Sequence, residues 1–179
     1  MEFITGLKQQ EEAELEDLLK AEEGTKIILE GAVHSVRDMG EIAFVILRKR
    51  EGLIQTVWEE GKTDMELSEI REGDYIHVTG QIKDEERAPH GKEVRLSTIR
   101  HLSHVSCPLP LPIDKWKLNT SLEAKLDRRS LSLRNIRERA RFRIQEGIVR
   151  GFRDFLYEQG FTEIHTPKIG AKSAEGGAN

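Results

Sequence analysis

Five strand-length pieces, each closed by a glycine or a polar turn, crowd into about 80 residues between Thr25 and Val105, and that spacing leaves few folds open. The first three, TKIILEGAVHSVRDMG, EIAFVILRKREG and LIQTVWEEG, are rich in β-branched residues and follow one another through short turns, the pattern of consecutive antiparallel strands. GKTDMELSEIREG then sets Met65, Leu67 and Ile70 at near-helical spacing, which predicts a helix or helical turn interrupting the sheet. DYIHVTGQIKDE and KEVRLSTIRHLSHV supply two further strands, joined by the polar loop ERAPHG.

The order β-β-β-α-β-β is that of a five-stranded Greek-key OB barrel, whose face and loops bind oligonucleotides. Small SH3-like barrels share much of that order. Ahead of the barrel, KQQEEAELEDLLKAEE carries Ala13, Leu15, Leu18 and Leu19 on one side and meets a stop at Gly24, which predicts a short surface helix. Behind it, PLPLP places Pro108, Pro110 and Pro112 within five residues, withholding backbone donors from a sheet and stiffening the chain. From Ile136 to Gln159, Phe142, Ile144, Ile148, Val149, Phe152, Phe155 and Leu156 recur at helical spacing; Gly160 closes that helix, and FTEIHTPKI reads as a strand ending at Pro167. The expected organisation is a helical extension at 1–24, the barrel at 25–107, a hinge at 108–135, and the first helix and strand of a second, α+β domain at 136–179.

Charge narrows the function classes. The chain of 179 residues carries a net charge of −4, which excludes a globally basic coat for nucleic acid, but the average hides an asymmetry. Residues 1–24 hold two lysines against eight acids, whereas 128–153 hold nine arginines against two glutamates. No apolar run approaches the roughly 20 residues that cross a bilayer, and the start lacks a signal-peptide core. With one cysteine, Cys107, no internal disulfide can form, so a reducing cytoplasmic setting without membrane contact is expected.

The barrel, the PLPLP hinge, LDRRSLSLRN, the helix ending in FLYEQGFTEIHTPKI and the stretch AEGGAN together resemble the class II aspartyl-tRNA synthetases of the archaeal and eukaryotic kind, over nearly the whole chain from Thr25 onward. The resemblance implies that Phe44 stacks on the central anticodon uracil, that Gln55 bonds its edge, and that Arg37 meets the first base or the backbone. Stacking of this kind is worth about 1–3 kcal/mol per base. Taken alone, Phe44 would be a core residue and Gln55 and Arg37 plain surface groups. His34 and Pro89 stand where members restricted to aspartate tRNA carry tryptophan and lysine, which implies relaxed discrimination against asparagine tRNA; taken alone they would be a surface histidine and a turn proline.

Pro167, with the helix before it, resembles motif 1, which implies a homodimer interface. Glu175 resembles the glutamate that meets the α-ammonium of bound aspartate, with Ser173 shaping the same pocket. The likeness ends at Asn179, ahead of motifs 2 and 3, so the chain reads as a fragment that makes no aminoacyl-adenylate by itself. The intact enzyme is expected to use ATP and Mg2+ and to charge tRNA(Asp) and, through His34 and Pro89, tRNA(Asn); no DNA partner is implied. A stand-alone OB module that binds tRNA and an asparaginyl-tRNA synthetase fragment are the alternatives. His101, His104 and Cys107 lie three apart, but a strand's two-residue period sets the two histidines on opposite faces, so no metal is assigned.

Overall fold

The computed structural model describes residues 12–165. Five strands, β1 (Lys26–Asp38), β2 (Ile42–Arg48), β3 (Leu53–Glu59), β4 (Tyr75–Asp84) and β5 (Lys92–Ser103), close into a barrel in the order β1-β2-β3-β5-β4. Every neighbouring pair is antiparallel except β3 and β5, which meet in a short parallel contact at Thr56↔Val94 and Val57↔Arg95. That contact closes the sheet and removes its open edges. This is the OB architecture expected from the element order. Where a helix or helical turn was expected between β3 and β4, the chain makes only a 3-10 turn, Leu67–Glu69.

Alternation sorts the strands' side chains. On β2, Ala43, Val45 and Leu47 point inward and are fully buried, whereas Phe44 and Ile46 face outward and are half-buried. Leu29, Val33, Ile54, Ile76, Val78, Ile82, Val94 and Leu96 complete the interior. Gly80 is required by close approach: a Cβ there would stand 2.3 Å from the Arg95 carbonyl oxygen across the β4–β5 ladder.

The helix ahead of the barrel, α1 (Leu15–Lys20), is not a purely surface element. It is capped reciprocally by Glu14 and Asp17, and Leu15 and Leu18 join the barrel's apolar cluster. Of the rest of the segment expected to be helical, residues 12–14 and 21–23 are not helical, and those through residue 11 lie outside the described residues.

Past β5 the chain folds back on itself. Leu111, Ile113 and Leu118 form a second small cluster with Leu109 and Leu131 against it. Buried Asn135 donates from Nδ2 to the carbonyls of Ile113, at 3.0 Å, and Lys115, at 2.6 Å. Two short helices, α2 (Leu122–Asp127) and α3 (Arg129–Ser132), lie in the same stretch. By contact density the chain divides into one unit through Ile136 and another from Arg137.

The second unit is dominated by α4 (Ile136–Glu158), the long helix expected from the periodicity. Gly160, at φ +81°, ends it, and Glu163 folds back to accept from Tyr157 Oη and Arg153 Nε, each at 3.1 Å. The strand expected over FTEIHTPKI does not appear in residues 161–165: a strand exists by pairing, and no described residue pairs with them. Pro167, Ser173 and Glu175 lie outside the described residues. Among the described residues, no helix is long and apolar enough to cross a membrane.

Candidate nucleic-acid interface

The outward face of β1–β3 and the β4–β5 loop bound a groove of about 830 Å³, and His34, Arg37, Phe44, Gln55 and Pro89 all line it. Strand register explains the convergence. Phe44 pairs with Arg37 on β1 and Val57 on β3, and Ile46 pairs with Gln55, so Phe44 and Gln55 are diagonal neighbours on one face. Phe44 therefore points away from the core, against the reading it would receive as an isolated phenylalanine.

Gln55 is held in place. Its Nε2 donates to Glu93 Oε2 at 3.0 Å, and Glu93, only 2% exposed, is in turn paired through Oε1 with Arg95 at 2.9 Å. With one Nε2 hydrogen given to Glu93, Gln55 keeps its amide oxygen to accept from a ligand and its second N–H to donate. Arg95 also pairs with Glu59, whose carboxyl is held below its ordinary range by hydrogen bonding first from Lys62 and then from Arg95. Arg95 is thus engaged within the protein, whereas the exposed guanidinium groups of Arg37 and Arg87 at the groove make no ion pair among the described residues.

Sequence reasoning missed Glu93 and Arg87. Glu93 is 38 residues from Gln55 and reaches it through the parallel β3–β5 closure, which no local pattern announces. Arg87 sits in ERAPHG, a loop read only for its turn chemistry. In the same loop His90 adopts φ +67°, uncommon for a residue other than glycine, beside exposed Pro89.

His34 is buried, at 5% exposure, and its Nδ1 lies 3.5 Å from Arg48 NH1. Burial first, and the Arg48 charge second, push its pKa below the ordinary histidine value, against a smaller opposing pull from Asp114. The ring is therefore neutral at pH 7.

His101 and His104 do not fall on opposite faces. Tyr75 pairs with Ser103 and Ile76 with His101, so Leu102 is an extra residue, and the bulge breaks the two-residue alternation. The two rings stack with centroids 3.8 Å apart, and the Nδ1 of each lies 3.7 Å from Asp74 Oδ2.

The family described as OB-fold nucleic acid binding domain matches residues 27–102, and the family of class II tRNA synthetases (D, K and N) matches residues 121–179. An aspartate–tRNA(Asp/Asn) ligase of Archaeoglobus fulgidus is 40% identical over 159 residues, 87% of this chain and 37% of that protein. The chain thus spans little more than a third of the length of such relatives. Among solved structures, the asparaginyl-tRNA synthetase of Pyrococcus horikoshii complexed with asparaginyl-adenylate matches with a TM-score of 0.79 at 26% identity, over 94% of this chain and 39% of that one. The aspartyl tRNA synthetase of Entamoeba histolytica gives 0.72 at 28%, over 93% and 40%. Relatives agree along both halves of the sequence: the chain pairs a stretch matching the OB-fold nucleic acid binding domains with one matching the class II tRNA synthetases (D, K and N), and along most of its length it is similar to aspartate–tRNA(Asp/Asn) ligases.

Proposed function

We propose that this chain reads the tRNA anticodon for an aspartate–tRNA ligase. The observation that carries the reading is the convergence of His34, Arg37, Phe44, Gln55 and Pro89, from four separate segments, on one groove of about 830 Å³. A base stacks on the half-buried ring of Phe44. The Gln55 amide oxygen, oriented by Glu93, accepts from a donor edge such as uracil N3–H, and Arg37 and Arg87 meet phosphate or the flanking base.

The intact ligase would activate aspartate with ATP and Mg2+ and transfer it to tRNA(Asp) and tRNA(Asn). The metal-type cluster among the described residues does not fit Mg2+: it is nitrogen-rich, whereas Mg2+ takes oxygen ligands. Activation is therefore assigned to the rest of the ligase, with Glu175 and Ser173 as the proposed aspartate contacts. A homodimer fits the exposed apolar side chains of α4, Phe142, Ile148, Phe152 and Phe155 among them, with Pro167 at the same interface.

The test is titration of an anticodon stem-loop beginning G-U against the chain. Binding should weaken as salt rises, and Phe44→Ala should weaken it by about 1–3 kcal/mol. Unchanged binding by a folded Phe44→Ala variant would defeat the reading.

A further inference from the structure

Asp74 is fully buried, and both of its oxygens are already oriented by backbone donors: Oδ2 accepts from Arg71 N at 3.0 Å and Oδ1 from Val105 N at 2.8 Å. Each oxygen keeps a lone pair. His101 has neither ring nitrogen hydrogen-bonded among the described residues, although both are shut off from water. Such an arrangement is costly for a protein unless a further partner arrives. Next to them the His104 side chain remains 62% exposed, so the cluster has an entrance.

We propose that Asp74, His101 and His104 form a binding site for a divalent transition metal of the Zn2+ type. One ligand atom from each of the three lies within 4.8 Å of the others. A tetrahedral Zn2+ with bonds near 2.1 Å holds its ligands about 3.4 Å apart, close to the two 3.7 Å separations from Asp74 Oδ2; the stacked rings must in addition turn out of parallel, for which the exposed His104 ring has room, so that both nitrogen lone pairs aim at the ion. Two imidazoles and one carboxylate select zinc, cobalt or nickel over magnesium or calcium, and water fills the fourth position on the exposed side.

The site's place in the fold gives it a purpose. Asp74 immediately precedes β4, His101 lies near the end of β5, and His104 opens the segment leading to Pro108, so one ion would clip the chain where it leaves the barrel. Gly73, at φ +97°, makes the turn that presents Asp74. The inference is independent of the anticodon reading, because none of these three residues lines that groove.

The experiment uses the untagged chain, stripped with chelator and dialysed, then titrated calorimetrically with Zn2+ and spectroscopically with Co2+. One ion per chain, visible Co2+ absorption and a Zn2+-dependent rise in Tm are expected. His104→Ala, which removes an exposed ring, should lower affinity at least tenfold and abolish the Tm rise; His101→Phe should do the same where it folds. Absence of stoichiometric binding would overturn the site and leave a metal-free histidine–aspartate cluster. Stoichiometric binding of undiminished affinity by folded His104→Ala would overturn it equally, by assigning the ion elsewhere.

Discussion

The barrel and helix α4 carry comparable apolar side chains and dispose of them in opposite ways. In the barrel, Ile76 is 0% exposed; on α4, Ile148 is 68% exposed, and Phe142, Phe152 and Phe155 are also open to solvent. A closed sheet surrounds its own inward residues, whereas a lone helix has nothing to fold its stripe against. The lesson is that the barrel is complete in its packing, whereas α4 keeps its apolar stripe uncovered among the described residues. On the proposed reading, the barrel can then devote its outward face to recognition.

The sharpest way to break that comparison is to truncate one large side chain on each side. Ile76→Ala should cost about 2–5 kcal/mol, since it opens a cavity in a closed interior. Phe152→Ala, measured where the chain is monomeric, should stay within about 0.5 kcal/mol. Urea unfolding followed by tryptophan fluorescence, with Trp58 buried in the barrel as reporter, measures both. Equal losses would mean that α4 is packed as the barrel is. At concentrations where two copies associate, Phe152→Ala should become destabilising, because the stripe is then covered.

The same contrast explains what the sequence could tell. Phe44 and Gln55 were singled out by the family resemblance; that they share one outward face follows from the two-residue period on adjacent strands. The five-strand order and α4 were legible in the residues themselves, because a period of two on strands and of 3.6 on a helix is a local property. Glu93 was not, because its role depends on a parallel contact between strands 38 residues apart. His101 and His104 were assigned opposite faces because a bulge at Leu102 leaves no mark on a polar strand end. Leu15 and Leu18 fall on one apolar side of the helix in the sequence already, but a short surface helix does not show what that side packs on. Arg87 gave no signal beyond being one more arginine in a charged chain.

A pH titration separates the groove from the rest of the barrel. The folded His34 pKa lies below its unfolded value, so between them the unfolded chain binds the extra proton and stability rises with pH. The contribution is fully present above the unfolded value, about 6.5, and is lost as pH falls through the folded pKa. Wild-type denaturation midpoints should therefore decline on acidification below about pH 6.5 more steeply than those of His34→Gln, which cannot protonate. Parallel profiles would show that His34 is not the group responsible.

The smallest expected effect concerns which tRNA the groove accepts. The aspartate and asparagine anticodons share their first two bases, so on the proposed reading Phe44 and Gln55 treat them alike, and any distinction rests on the third. There cytosine offers an amino donor and uracil a carbonyl acceptor, a difference worth about 1–3 kcal/mol when a well-placed group reads it. Pro89 has no side-chain donor, and His34 is buried and neutral, with its Nδ1 facing Arg48. Neither is equipped to test that base, so the two stem-loops should bind within about tenfold, or roughly 1.4 kcal/mol. Titrating both loops against wild type and a His34→Trp, Pro89→Lys double variant measures it. The variant should favour the aspartate loop; a wild-type preference well beyond tenfold, or a folded variant with unchanged selectivity, would place discrimination at other groove residues, of which Arg87 and His90 stand nearest Pro89 in the chain.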